Sequence, residues 1–508
     1  MNRTQKVTMG AALSLAFSLL QIFLSLWRTR VIILNLGTDI HSINAVSMQL
    51  LSYVGLLEGG IGAGFLYKMY APMAAGDTTG VNRLYNGLRI SMRKVACMMT
   101  MAMLLISFLY PLVMADNSLG YGRVVALLLL TSLRSVVPYF LSVHNKQLLI
   151  LTENQHILTI IDGTINILIV FGEIVLVNYF ALPFEFVLLM GIFFTIVTAA
   201  GYSLAVRYYL KKYVTVTREA SFEGTTMTKD ILVHKICYMA NTHIDALILS
   251  FLDLFQTSVY TSYNSVVGYP TGIINKVMIN LRGAIGIKLN SEATDSNESY
   301  TLFKEILALN VSVASVICTV FIVMINPFVT LWLGEEYAIS ILCCILFALN
   351  MFNGLLNDVI ILMRDAKGLY KESKGYTLAT AACNLVLSLV LVNFWGVAGL
   401  LFATTVSTYL IMDLGNNRLI FKHIFKRKMT IYWDYLLAWT GIAIGCVISF
   451  AARSYIPFSF IGNGWISFAS EAAFVCVIAL TVTLVSQGLF NPYFRRLVLR
   501  VKKSLFKK

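Results

Sequence analysis

An all-α integral membrane fold of about fourteen spanning helices follows from three features of this 508-residue chain. It is 58% hydrophobic, with a mean hydropathy of +0.76. Charged residues make up 13%, about half the share usual for a soluble domain. Apolar runs long enough to cross a bilayer, which takes roughly 20 residues, recur from one end to the other.

The first run, Val7 to Leu36, reads VTMGAALSLAFSLLQIFLSLWRTRVIILNL. It is too long for a cleavable signal peptide, and no small-residue cleavage site follows it. Further runs lie near 43–67, 95–114, 122–143, 155–178, 184–206, 230–252, 257–285, 305–325, 337–363, 375–393, 396–417, 431–451 and 464–490. Of the 39 Lys and Arg residues, 31 fall in one alternating set of connections, the set that includes both termini; two, Arg123 and Arg453, fall in the other. That asymmetry predicts an even number of spans with both termini in the cytoplasm. The net charge of +14 is then matched by anionic lipid headgroups, and no nucleic-acid partner is needed. The opposite connections are short and lean acidic, with Asp39, Asp116, Glu185, Asp253, Glu335 and Glu336. No connection has room for a soluble domain.

A weak internal repeat organises the spans. Shifting the chain by about 218 residues lays the second run on the eighth and AAGDTTGVN at 74–82 on SEATDSNES at 291–299, so that Asp77 meets Asp295. An even number of helices per repeat gives both repeats one orientation, related by an axis along the membrane normal. The expected organisation is a six-helix bundle over 1–212, a second over 213–428, two additional spans over 429–492, and a basic cytoplasmic tail over 493–508.

Six basic residues remain inside spans: Arg28, Arg30, Arg134, Lys235, Lys276 and Arg282. Arg28 stands roughly 30 Å along the first helix, in the far half of the membrane. An arginine there is costly against lipid and cheap against a wet cavity or an anion; beside Trp27 it also has the option of snorkelling to the interface. Arg28 and Arg30 differ by about 200° around the helix, so they face different ways. Cations on the first and eighth helices would make a cavity between the bundles cationic and suited to an anionic cargo. For Arg282, snorkelling to the interface competes with this role. The acids inside spans are Glu58, Asp162, Glu173, Asp245, Asp358, Asp413 and Glu471, with His156, His234 and His243 nearby. Interhelical ion pairs, such as Glu58 with Arg134 or Asp245 with an arginine, compete with a role for Glu58, Asp162, Asp245 or Asp358 in holding H⁺ or Na⁺.

Motifs of soluble enzymes are missing: no P-loop, no G-x-S-x-G and no H-E-x-x-H occurs. EGGIGAG at 58–64 lies within a span with no strand before it, so close helix packing or a bendable helix accounts for it better than a nucleotide loop. The eight cysteines lie in apolar runs without a C-x-x-C pair, so neither a zinc site nor a redox motif is expected. A metal site and an organic cofactor are likewise not expected.

The segments RTRVIILNLGTDIHSINAVSMQLLSYVGLLEGGIGAGF at 28–65 and NTHIDALILSFLDLFQTSVYTSYNSVVG at 241–268 resemble the first two and the seventh and eighth helices of oligosaccharide-lipid flippases in the multidrug/oligosaccharidyl-lipid/polysaccharide (MOP) superfamily. The resemblance implies two six-helix bundles in a V, opening alternately to each side. It also implies an undecaprenyl-pyrophosphate-linked oligosaccharide as cargo, with a polysaccharide polymerase and glycosyltransferases as partners in the same pathway. Fourteen helices also resemble the lipid II flippases, whose first and eighth helices carry pyrophosphate-binding arginines. Arg28 or Arg30, and Arg282 with Lys276 beside it, stand on the matching helices here. Helix two carries Glu58 where those flippases place another basic residue, which favours a capsule, O-antigen or exopolysaccharide subunit over lipid II. An ion-coupled multidrug exporter of the same superfamily is the competing reading and would use Glu58, Asp162 and Asp245. A membrane enzyme would need a large outer loop that the chain lacks, so none is expected.

Overall fold

The computed structural model describes residues 3–152, 154–214, 217–225, 229–290, 296–455 and 464–506; side chains are described for these except 3–12, 212, 225, 229–234, 277, 279–290, 501 and 503–506. Among the described residues all regular structure is helical, and the chain divides into two compact units, Met1–Ser262 and Tyr263–Lys508.

Unit 1 holds α1 (Arg3–Leu36), α2 (Thr38–Val54), α3 (Ile61–Ala74), α4 (Thr78–Leu109), α5 (Tyr121–Leu141), α6 (Val143–Leu151), α7 (Gln155–Asn178), α8 (Phe184–Tyr209) and α9 (Lys229–Ser250). The long α10 (Leu254–Asn290) starts in unit 1 and runs on into unit 2. Unit 2 continues with α11 (Ser296–Leu333), α12 (Ile341–Ala366), α13 (Tyr370–Trp395), α14 (Val397–Ser407), α15 (Leu414–Ile420), α16 (Ile431–Tyr455), α17 (Trp465–Phe490) and α18 (Pro492–Phe506).

Among the described residues, twelve helices are long and apolar enough to cross a membrane, and the protein is a multi-pass membrane protein. All fourteen expected runs fall on helix. The seventh and eighth correspond to α9 and α10, which are not among those twelve.

Several spans are broken where the sequence provides the means. The second run splits at Gly59 and Gly60, whose φ of +57° and +77° lie in the left-handed region, where a side chain would be strained. The turn Gly55–Glu58 before them is a tight 3₁₀ turn. The fourth run breaks at Ser142, whose φ of −134° and ψ of −24° leave the helical region, one turn after Pro138. The twelfth run widens into a π-helical turn at Thr408–Asp413, and a second follows just beyond it at Phe421–Phe425. Asn491 caps α18, accepting from the backbone N–H of Tyr493 at 3.1 Å and of Phe494 at 3.3 Å, with Pro492 at the first helical position, where its lost donor costs nothing.

One core of unit 1 gathers Val31 and Ile32 of α1, Ile43 and Val46 of α2, Leu128 of α5, Ile174 and Val177 of α7, and Val187 of α8. A second core packs Phe65 and Met69 of α3 against Leu88 of α4, Leu148 of α6 and Tyr202 of α8. In unit 2, α11 and α12 are central: 67% of the spanning window of each is buried, against 22% for α17.

The connection after α8 is held firmly to unit 1. Asn82 donates to the Tyr213 carbonyl and accepts from the Thr217 N–H, both at 2.7 Å. Asn86 donates to the carbonyls of Thr217 and Glu219 at 2.9 and 3.0 Å, and the Ser221 N–H reaches the Arg83 carbonyl at 2.9 Å. Gly87 lies against Ser221, and Gly64 against Gly224, so closely that a Cβ on either helical glycine would collide with backbone.

Candidate functional site

Two arginines of unit 1 converge on Glu173. Its side chain is 1% exposed on α7, and it accepts from Arg28 Nε of α1 and, at 2.9 Å, from Arg134 Nη1 of α5. The two arginine side chains keep 22% and 28% exposure. Two guanidiniums share one carboxylate, so the group carries a net positive charge. Gly191 of α8 leaves the space that the Arg134 head fills; a Cβ there would lie 2.9 Å from its Cζ. The expected pairing of Arg134 with Glu58 is therefore corrected. Glu58 stands on the 3₁₀ turn before the glycine break and accepts instead from Tyr139 OH at 3.3 Å. Arg30 is half-buried on α1 and does not join the pair on Glu173.

Asp162 of α7 accepts from Tyr202 OH of α8 and faces Lys146 Nζ of α6 at 3.4 Å. Asp245 is buried on α9 and accepts from Tyr260 OH at 3.1 Å. Close by in unit 1, His243 Nδ1 lies 3.2 Å from Gln49 Oε1, and His41 Nδ1 lies 2.9 Å from Ser258 Oγ. Polar groups thus join α2 to α9 and to the start of α10, where hydrocarbon surroundings make each hydrogen bond costly to lose.

In unit 2, Lys276 is exposed on α10. The Arg282 and His234 side chains lie outside the described residues. Beside Lys276, the Asn275 amide, turned so that its nitrogen faces α12, donates to Asp358 Oδ2 at 2.7 Å and Oδ1 at 3.0 Å. One turn away, Asn353 donates to the buried Asp413, and Asn357 donates to Asn353 Oδ1 at 2.7 Å. Asp413 closes the π-helical turn after α14, and the fully buried Asn416 and Asn417 follow it. Sequence reading had Asp413 among the intramembrane acids but not the amides around it. Their signal was the spacing of Asn350, Asn353 and Asn357, which share one helical face.

The chain has the fold of MOP-superfamily transporters. A lipid II flippase MurJ in an inward closed conformation superposes with a TM-score of 0.70 at 15% identity, over 97% of this chain and 100% of that one. An inward-facing multidrug resistance MATE-family transporter of the MOP superfamily gives 0.57 at 12% identity, over 82% and 99%. A MOP-superfamily transporter from Pyrococcus furiosus, described by a binding pocket of reverse polarity, gives 0.54 at 11% identity, over 83% and 95%. No protein-family model matches the chain, and no curated protein matches it in sequence.

Proposed function

We propose that the protein is a flippase that moves an undecaprenyl-pyrophosphate-linked oligosaccharide across the cytoplasmic membrane for capsule, O-antigen or exopolysaccharide assembly. The observation that carries this reading is the sharing of Glu173 by Arg28 and Arg134, on a fold like that of a lipid II flippase. One buried carboxylate orients both guanidiniums without neutralising them. Their remaining N–H groups form the planar donor arrays suited to phosphate oxygens. A phosphorylated headgroup would be drawn to this excess charge, and a cationic drug would be repelled.

In this reading the repeats 1–212 and 213–428 rock about the cargo, with both termini cytoplasmic. Arg30 on the first helix and Lys276 and Arg282 on the eighth are the further residues proposed to bind the pyrophosphate. Coupling to H⁺ or Na⁺ is assigned to the acids Glu58, Asp162, Asp245 and Asp358. Glycosyltransferases supply the cargo and a polymerase consumes it.

The test is flipping of a fluorescent undecaprenyl-pyrophosphate oligosaccharide in proteoliposomes. Arg28→Gln and Arg134→Gln each slow it by roughly ten- to a hundredfold, as a lost charge-assisted hydrogen bond should, while the protein inserts normally. Wild-type flipping speed in both variants would overturn the reading. Efflux of cationic drugs by the wild type, with no lipid movement, would favour the ion-coupled exporter.

A further inference from the structure

We infer that unit 2 carries a second anion site, a pocket for a phosphate-rich lipid headgroup at the chain reversal that follows α15. The cleft there is open to solvent, has a volume of about 500 Å³ and is lined by Arg418, Phe421, Lys422, Lys426, Arg427, Lys428 and Met429. Five of the seven lining residues are cations and none is an acid.

The backbone brings these charges together. Arg418 and Lys422 are four apart, so they share one helical face. The π-helical turn Phe421–Phe425 then ends at Lys426, whose φ of +53° and ψ of +42° lie in the left-handed region. A lysine there costs about 1 kcal/mol or more. The Arg427 N–H returns to the Phe421 carbonyl at 3.1 Å, folding residues 426–428 back beside the preceding turn. This left-handed cap is a common way for a helix to end, and here it gathers five exposed cations at one point.

Arg427 alone has its head fixed: Nη2 donates to Asn297 Oδ1 at 2.6 Å, and the guanidinium lies 4.7 Å over the Tyr300 ring. Arg418, Lys422, Lys426 and Lys428 make no ion pair with a carboxylate among the described residues. An anion in the cavity would relieve their mutual repulsion. The charge asymmetry of the chain assigns this end of unit 2 to the cytoplasmic headgroup layer, where a cluster of Lys and Arg just beyond a spanning helix attracts anionic phospholipids. The amphipathic helix α18 lies next to the site, with Tyr493 against Tyr300 at 6.0 Å and exposed Arg495 and Arg496 beside it. Several cations around one cavity suit a headgroup with two phosphates better than one with a single phosphate. The site lies in unit 2, apart from the Glu173 group of unit 1, so it can be tested independently of the transport proposal.

The experiment uses the full-length protein in detergent and reads its thermal unfolding midpoint by intrinsic fluorescence. The additives are cardiolipin, phosphatidylglycerol, phosphatidylcholine and sodium pyrophosphate. Cardiolipin is expected to raise the midpoint at lower concentration than phosphatidylglycerol, with no response to phosphatidylcholine. In Arg418→Gln/Lys422→Gln/Lys428→Gln the required cardiolipin concentration rises by about fivefold per cation removed. The charge-matched control Lys68→Gln/Arg93→Gln/Lys371→Gln stays close to wild type. If the triple variant does not fold, Lys422→Gln alone should show the single-cation shift. A variant-sensitive response to pyrophosphate without one to lipid would keep the phosphate site and make a soluble phosphate its ligand. An equal response to phosphatidylcholine, or an equal loss in the control, would overturn the proposal.

Discussion

Arg134 Nη1 meets Glu173 Oε1 at 2.9 Å, joining α5 to α7 through a carboxylate that Arg28 of α1 also holds. The arrangement makes the acid and the bases unequal. Glu173→Gln leaves two half-buried guanidiniums without a counter-charge, which should cost about 2–3 kcal/mol after allowance for their partial exposure. Arg28→Gln or Arg134→Gln leaves one intact pair and costs less. Thermal unfolding of the three purified variants checks this ranking: the glutamate variant should melt several degrees below the other two. Equal midpoints would mean that Glu173 does not hold the helices together.

The buried pair in unit 2 should behave differently. Lys304 is 5% exposed and Asp434 is 9% exposed, and they bind each other between α11 and α16. Lys304→Met alone strands a buried carboxylate and should cost about 3–5 kcal/mol, whereas Lys304→Met/Asp434→Leu should be nearly neutral, because desolvation offsets most of what a buried pair gains. Comparing the midpoints of the single and double variants tests it; a double variant less stable than the single would contradict the argument.

The helices were legible in the sequence because bilayer thickness sets their length, and the charged connections supplied the alternation. Partner choice was not legible. Glu58 and Arg134 both lie at mid-span by residue count, yet Gly59 and Gly60 break the helix beside Glu58 and leave its carboxylate to Tyr139, while Glu173 takes the arginine. In EGGIGAG, Gly59 and Gly60 make a break, as a bendable helix requires, while Gly64 packs against Gly224 in the connection after α8 rather than against another spanning helix. The π-helical turn at Thr408–Asp413 had no sequence signal, since non-ideal backbone within a span depends on surrounding protein to satisfy it.

The strap after α8 should be removable without unfolding unit 1. Asn86→Ala deletes the donor to two strap carbonyls, worth about 1–2 kcal/mol in all, and Gly87→Val drives a side chain into the Ser221 backbone. Both should speed protease cleavage within residues 217–225 and leave the unfolding midpoint nearly unchanged, Gly87→Val more so. Cleavage at the wild-type rate in Gly87→Val would show that the strap is held by other contacts.

Asp413 separates the roles of charge and shape in a buried polar cluster. It accepts from Asn353, which in turn accepts from Asn357 at 2.7 Å, and the three side chains link α12 to the π-helical turn after α14. Asp413→Leu removes the acceptor and leaves the Asn353 amide buried without its partner, at a cost of about 1–3 kcal/mol. Asp413→Asn keeps an amide oxygen in the acceptor position at nearly unchanged volume, so the Asn353 amide stays partnered. The asparagine variant should therefore unfold at or above the wild-type midpoint and the leucine variant clearly below it. If both variants were destabilised equally, the carboxyl group itself, rather than the acceptor it provides, would be what holds α12 to the turn.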